Sequence, residues 1–345
     1  MRIKSIIKAS VGTVAGSRLV APAVRWSTKD TVNILYYHFV GPAAPHYRVF
    51  DQGCTPAIFE RDLLQLRELF TFCSLDDVVL GRAIAQNTRP PAALMFDDGL
   101  NLFKFGATDI LHKLGIPANT AVITSCVGNE RLMWRHALSV IYSSSSPNLI
   151  VESYNRLASD FALDPISSSA QLLRASLRWR HGDKDTLTAR LWSACEMPAM
   201  AQYLAQHEPY FSWEQIQSWC SRGHSLGFHT HTHPLCGTLN KEELAGELLL
   251  PARELKSKFG LSHLHFSFPF GSRLQPELEE VVVEAGVFTS LLGTGGFRRR
   301  QPHSPVLERA CAEVSPLGWA ISRRALCNRI LPSFREARPH AAIGA

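Results

Sequence analysis

Two short clusters in the 345-residue chain combine residue types that could do chemistry. The first is Asp97-Asp98-Gly99, placed directly after the apolar run Ala92–Phe96. Burying one carboxylate is expensive unless it is paired, and two in succession after a core strand double the difficulty. Such a pair at a strand's C-terminal end points to a metal or a proton transfer that uses it. The competing reading is a helix cap, with Asp97 opening a helix near Asn101 and Asp98 left in solvent. The second cluster is His229-Thr230-His231-Thr232-His233. On one helical turn, positions four apart share a face, so His229 and His233 can point the same way. Two imidazoles and a carboxylate are a ligand set for a zinc-like divalent ion that keeps one position open for water. His231 would then point elsewhere, and Thr230 or Thr232 could orient a ligand ring. A His-rich loop without metal is the alternative.

The elements that must position these clusters alternate. Val32–Tyr37 reads as a first strand ending at His38, and Thr55 with Pro56 opens a helix carrying Phe59, Leu63, Leu66 and Phe70 on one face. Phe72–Leu80 holds a second possible strand, Ala92–Phe96 is buried on both faces, Asp109–Leu114 is helical, and Ala118–Thr124 is a further strand. That order argues for a parallel α/β sheet or barrel. Residues from about 133 to 208 break the rhythm with helical periodicity and no convincing strand, a pattern expected of a helical insertion. The rhythm resumes with a helix at Ser212–Cys220, where Ser212 and Gln215 form a capping box. His224–Phe228 and His265–Phe268 read as strands around a helix over Asn240–Phe259. A helix at Gln275–Ala285, a strand at Val287–Leu292 and a last strand at Pro305–Val314 follow. Both chemical clusters therefore fall just past strand ends, on one rim of a parallel fold.

Composition sets the outer limits. Hydrophobic residues make up 46%, enough for a large core, and the net charge of +6 is mildly basic. The basic residues are scattered apart from Arg298–Arg300 and no aromatic-interleaved stripe occurs, so nucleic acid is not an expected partner. The eight cysteines include no Cys-x-x-Cys pair and read as core residues of a reducing compartment. No apolar run approaches the ~18 residues of a membrane span. The segment 1–30 makes a poor signal peptide, which favours a cytoplasmic location. Ile3, Ile6, Ile7, Val11 and Val14 at helical spacing, with Lys4 and Lys8 off that face, allow a basic amphipathic helix resting on a membrane surface. Residues 321–345 read as a tail.

The ordered set Phe96-Asp97-Asp98-Gly99, then His229 to His233 with Pro234, then Phe268-Pro269-Phe270-Gly271, resembles the polysaccharide deacetylases (carbohydrate esterase family 4, the NodB homology domain). The resemblance runs from about Asn33 to Val314 and takes in Tyr37-His38 and the Trp213-Glu214 helix. It implies a deformed (β/α) barrel with fewer than eight strands, carrying the helical insertion, within a domain at 31–320. It implies Asp97 as general base, and Asp98, His229 and His233 as ligands of one divalent metal, zinc before cobalt. It further implies the Phe270 backbone N–H as oxyanion donor, with Pro269 and Gly271 touching substrate.

The chain departs from the family where the leaving group must be protonated. The usual Arg before the Pro-aromatic-Gly motif is replaced by Ser267-Phe268, and no Leu-x-His motif is present where Val306-Leu307-Glu308-Arg309 stands. His38 and His303 are the candidate acids. The implied activity is hydrolysis of the N-acetyl amide of an amino sugar, free, polymeric, or nucleotide- or lipid-linked. The alternatives are an impaired carbohydrate-binding protein on the same fold and a deacetylase of a non-sugar amide.

Overall fold

The computed structural model describes residues 21–49, 54–83, 88–301, 304–313 and 321. The proposed amphipathic face of residues 3–14, His303, Cys327 and nearly all of the tail lie outside the described residues. The scaffold is a parallel sheet of β1 (Ile34–Tyr37), β2 (Thr71–Phe72), β3 (Pro91–Phe96), β4 (Ala118–Val122), β5 (Ser225–Phe228), β6 (His265–Ser267), β7 (Ser290–Gly293), β8 (Val306–Glu308) and β9 (Ala310–Cys311). Hydrogen bonding runs in the order β8-β7-β6-β5-β4-β3-β1-β9, with β2 paired to the start of β3. The two ends of that path are the halves of one stretch interrupted at Arg309, so the sheet closes nearly into a barrel of seven staves.

Alternation along β3 shows why the run is apolar throughout. Ala92, Leu94 and Phe96 pack outward against the surrounding helices with Leu63, Leu66 and Trp219. Ala93 and Met95 point inward and meet Ile34, Tyr36, Ala121, Leu292 and Leu307. A strand buried on both faces has no position for a polar side chain until it ends. The short helix Leu75–Val79, capped by Ser74, packs Leu75, Val78 and Val79 on the inward set.

The helix over Pro56–Leu69 starts at Thr55, whose side chain accepts the Ile58 N–H, and the Ser212–Gln215 capping box opens the helix Trp213–Ser221. The structure excludes one of the two readings of Asp97 and corrects one expected helix. No helix opens at Asn101, so Asp97 is not a cap; the next helix is Ala107–Leu114. The element expected over Asn240–Phe259 is interrupted by a π-turn at Ala245–Leu249, two residues before Pro251. Proline has no N–H to return to the carbonyl four residues back, and a π-turn relieves its ring clash. That carbonyl, on Glu247, accepts the His231 N–H at 3.0 Å instead.

Between β4 and the helix Trp213–Ser221 the chain is helical only, with its longest pieces at Trp134–Ser144, Pro147–Ala158, Lys184–Ala194 and Met200–His207. These build their own core from Leu138, Ile141, Leu187, Leu191 and Trp192. Phe39, Tyr47 and Leu100 from the strand-end loops join it, with Phe270 packed alongside. The helical segment is thus seated on the rim that carries the motifs. No described helix is long and apolar enough to cross a membrane.

Leu94→Ala, at a fully buried barrel position, is expected to lower unfolding free energy by about 2–5 kcal/mol in urea titrations. Leu64→Ala, at a 49% exposed position, is expected to stay within about 0.5 kcal/mol of wild type.

Candidate active site

β1, β3, β5 and β6 deliver His38, Asp97-Asp98, His229–His233 and Phe268–Gly271 to the same rim, because parallel pairing puts all their C-terminal ends there. Asp98, Thr230, His233 and Phe270 all hold positive φ, from 56° to 69°, which non-glycine residues adopt at a cost. The run His229–His233 is not a helical turn, which corrects the backbone expected for it. The two left-handed residues Thr230 and His233 fold it into a loop.

That loop still brings its two end rings together. His229 Nε2 and His233 Nε2 lie 3.2 Å apart, and each is 3.3 Å from Asp98 Oδ1. Ligands about 2 Å from a common tetrahedral centre stand about 3.3 Å apart, so the triangle has the dimensions of a metal site. Further observations agree. His229 Nδ1 lies 2.7 Å from the Ser267 carbonyl, which can only accept, so Nδ1 carries a hydrogen and Nε2 is the nitrogen turned toward Asp98. Burial pushes His233 down to about 4, against the pull of Asp98, so this ring is neutral. Asp98 Oδ1 is buried with no hydrogen-bond donor. These three groups could hold a metal ion.

Supports for the loop come from unexpected places. Thr230 Oγ1 accepts the His233 N–H, while Thr232 bonds the buried Glu247 through both its N–H and its hydroxyl, at 2.9 and 2.7 Å. His231 turns away to Thr124 Oγ1 at 2.9 Å. The second oxygen of Asp98 faces His136 Nε2 at 3.5 Å. His136 belongs to the helical segment, and Tyr210 OH lies 2.7 Å from its Nδ1. In the sequence it is one histidine in an amphipathic helix, with nothing to mark it.

Asp97 is buried beside Asp98 and is held by Arg309, whose Nη1 donates to both carboxylate oxygens at 2.8 and 3.0 Å. Ser267 Oγ donates to it at 3.0 Å. Burial alone would raise the Asp97 pKa, but Arg309, then His229 and His38, hold it below the usual carboxylate value. Arg309 is fully buried, its Nε donating to the Gly293 carbonyl and its guanidinium over Tyr36. Position 267, where the family's usual arginine is replaced, carries a serine that joins Asp97 to the His229 ring. The cation comes from the break between β8 and β9.

His38 lies past β1 with Nδ1 2.7 Å from Glu313 Oε2, and Glu313 Oε1 also accepts the N–H groups of His38 and Phe39. Burial works to lower the His38 pKa, but Glu313 outweighs it and lifts it to about 9. The Phe270 ring stands edge-on to His233, 4.6 Å between centroids, with Trp134 beyond it at 6.1 Å. Trp134 Nε1 donates to the His233 carbonyl at 3.0 Å. Pro269 is buried. Gly271 has φ of 64°, and a Cβ there would meet Thr294 Oγ1 at 2.2 Å, so the Phe270 turn tolerates only glycine after it.

The polysaccharide deacetylase family model matches residues 85–287. Among solved structures, Streptococcus pyogenes deacetylase PplD in complex with acetate is 14% identical with a TM-score of 0.52, the match covering 81% of this chain and 92% of that one. BC0361, a polysaccharide deacetylase from Bacillus cereus, is 15% identical with a TM-score of 0.50, covering 85% of this chain and 68% of that one. At these identities the likeness is one of fold. No curated protein matches the chain.

Asp98→Ala and His229→Ala are expected to abolish stoichiometric divalent-metal binding measured by metal analysis after dialysis. His136→Ala is expected to keep the stoichiometry and weaken affinity by about 10–100-fold. The His38–Glu313 pair has a stability signature of its own. His38 titrates near 6.5 when unfolded and at about 9 when folded, so its contribution is complete below pH 6.5 and fades as pH rises through 9. The stability gap between wild type and His38→Gln should therefore close over that window in urea titrations.

Proposed function

Because the chain belongs to the polysaccharide deacetylase family, hydrolases of carbon–nitrogen bonds other than peptide bonds, we propose that it removes the acetyl group from an N-acetylated amino sugar in a metal-dependent reaction. The observation that carries this reading is the buried Asp98, His229 and His233 triangle beside a second buried carboxylate, Asp97. When bound there, a divalent ion would supply Lewis acidity toward the amide carbonyl and a lowered pKa for attacking water.

The chain's own groups divide the remaining work. Asp97 takes the proton of the attacking water at a carboxylate oxygen, and Arg309 with Ser267 fixes which oxygen faces the reaction. The low pKa set by Arg309 keeps Asp97 ionised well below neutrality. The Phe270 N–H is the proposed donor to the developing oxyanion. Its position is held by the buried Pro269 before it and the Gly271–Thr294 contact after it. His38 is the proposed acid for the departing amine. With Glu313 behind it, it is an imidazolium at neutral pH and can give up a proton while the carboxylate steadies the ring. A histidine backed by a carboxylate thereby fills the role left open by the missing Leu-x-His motif.

Acetate release from N-acetylhexosamine mono- and oligosaccharides, assayed with zinc or cobalt supplied, tests the reading. Turnover lost in Asp97→Asn and in Asp98→Ala is expected, and no release from any such substrate overturns it. Arg309→Met removes the cation that lowers Asp97, so the acidic limb of kcat/KM should move about one to three pH units upward. An unmoved limb removes Asp97 from the role of base.

A further inference from the structure

The chain just past the two carboxylates is clamped where the helical segment returns to the barrel. The Phe211 N–H donates to the Gly99 carbonyl at 3.1 Å and the Asn101 N–H to the Pro209 carbonyl at 2.8 Å. Leu100 and Tyr210 thereby stand opposite each other as one antiparallel rung. Asn129 holds Tyr210 from its other edge, with Oδ1 accepting the Tyr210 N–H at 2.9 Å and Nδ2 donating to the Tyr210 carbonyl at 3.2 Å. The Tyr210 backbone is thus fixed against Gly99, the residue that follows Asp98. A phenol on a backbone so fixed can aim its hydroxyl with little further loss of freedom.

That hydroxyl returns toward Asp98 from the opposite direction. Tyr210 is 1% exposed, its OH lies 2.7 Å from His136 Nδ1, and His136 Nε2 lies 3.5 Å from Asp98 Oδ2. A closed circuit therefore runs from Asp98 through Gly99, Phe211, Tyr210 and His136 back to Asp98. The Tyr210 oxygen accepts the Met133 N–H at 3.1 Å. Burial raises the hydroxyl well above the ordinary phenol value, so it keeps a hydrogen to give. Cys126 also bonds it, but burial pushes that thiol up to about 12, and a thiol sulfur accepts weakly beside an imidazole nitrogen. The hydroxyl hydrogen accordingly goes to Nδ1. The neutral ring then carries its own hydrogen on Nε2, facing a carboxylate oxygen that can only accept. The other tautomer would set the Nε2 lone pair against Asp98 Oδ2.

We propose that Tyr210 is a positioning residue of the metal centre, its hydroxyl fixing His136 in the Nε2–H form so that Asp98 gives Oδ2 to that ring and Oδ1 to the metal. Oδ1 is the oxygen that faces both loop histidines at 3.3 Å. A carboxylate with nothing on Oδ2 could turn Oδ1 out of that triangle, and an oriented outer partner prevents it. The link at 3.5 Å is the longest of the circuit, and a hydrogen bond near its outer limit depends most on how its donor is aimed. The role deepens the metal-dependent reading and rests on its metal centre, whatever the substrate.

Two measurements on the full chain test it: calorimetric titration of zinc into metal-free protein, and nitrogen-15 NMR of the His136 ring. Tyr210→Phe removes the hydroxyl and keeps the ring, and zinc should bind about 3–10-fold more weakly, the worth of one hydrogen bond. The same substitution placed on His136→Ala should cost nothing further, because its effect passes through the imidazole. A tyrosine that only filled space would cost as much on either background. At neutral pH the wild-type His136 should carry its hydrogen on Nε2 alone, and the Nδ1–H form should appear in Tyr210→Phe. Unchanged zinc affinity in Tyr210→Phe overturns the proposal, as does an equal loss on both backgrounds. So does a wild-type ring with its hydrogen on Nδ1 or on both nitrogens. If His136→Ala does not fold, the Tyr210→Phe affinity and the NMR spectra decide alone. A wild type that binds no zinc sinks the metal reading and this role together. Zinc bound without acetate release sinks the deacetylase reading and leaves the role standing, whereas acetate release with unchanged zinc affinity in Tyr210→Phe does the reverse.

Discussion

Two carboxylates buried side by side at the end of β3 set the terms for everything around them. Asp97 and Asp98 are 3% and 5% exposed, and like charges that close are tolerated only if each has its own compensation. The fold separates them by backbone conformation: Asp98 takes a positive φ while Asp97 continues from the strand, so the side chains face different partners. Asp97 receives Arg309 and Ser267, and Asp98 receives the histidines. Gly99 follows with φ of 65° because Val122 crowds the place a side chain would need. The glycine of the motif is thus a packing requirement of the β4 neighbour.

Compensation on this scale draws on the whole ring. Arg309 can reach Asp97 only because the final strand breaks beside it, with its N–H bonded to the Gly293 carbonyl. Ser267 joins Asp97 to the His229 ring through its hydroxyl on one side and its carbonyl on the other. Glu247 ties the histidine loop to a helix whose π-turn frees a carbonyl for the purpose. The site is therefore braced from β6, from the β8–β9 break and from the helix before β6, and a change at any of them would reach the two carboxylates.

Much of this was legible in the sequence, for identifiable reasons. A strand buried on both faces must read as an unbroken apolar run, and caps such as Ser212 with Gln215 are local, so the barrel elements announce themselves. The pairing of His229 with His233 was also legible, although the helical backbone assumed for it was wrong. The left-handed residues that fold the loop are Thr230 and His233, and no glycine marks them. Arg309 was invisible because it lies 212 residues from its partner and nothing local distinguishes it from a surface arginine. His136 and Glu247 were invisible for a related reason: each sits on a helix whose periodicity is satisfied without them.

The contribution of the helical segment then follows from what a barrel rim lacks. Strand ends supply the paired carboxylates and the histidines, but groups at a strand end left open to water have every charge interaction weakened. His136 reaches Asp98 from that side, and Trp134 covers the loop by bonding the His233 carbonyl. Arg135 and Lys184, both almost fully buried, lie against Phe270 and Trp134 on the same side. The strand ends thus present the paired carboxylates and histidines, and the helical segment supplies the low-dielectric surroundings in which their charges act.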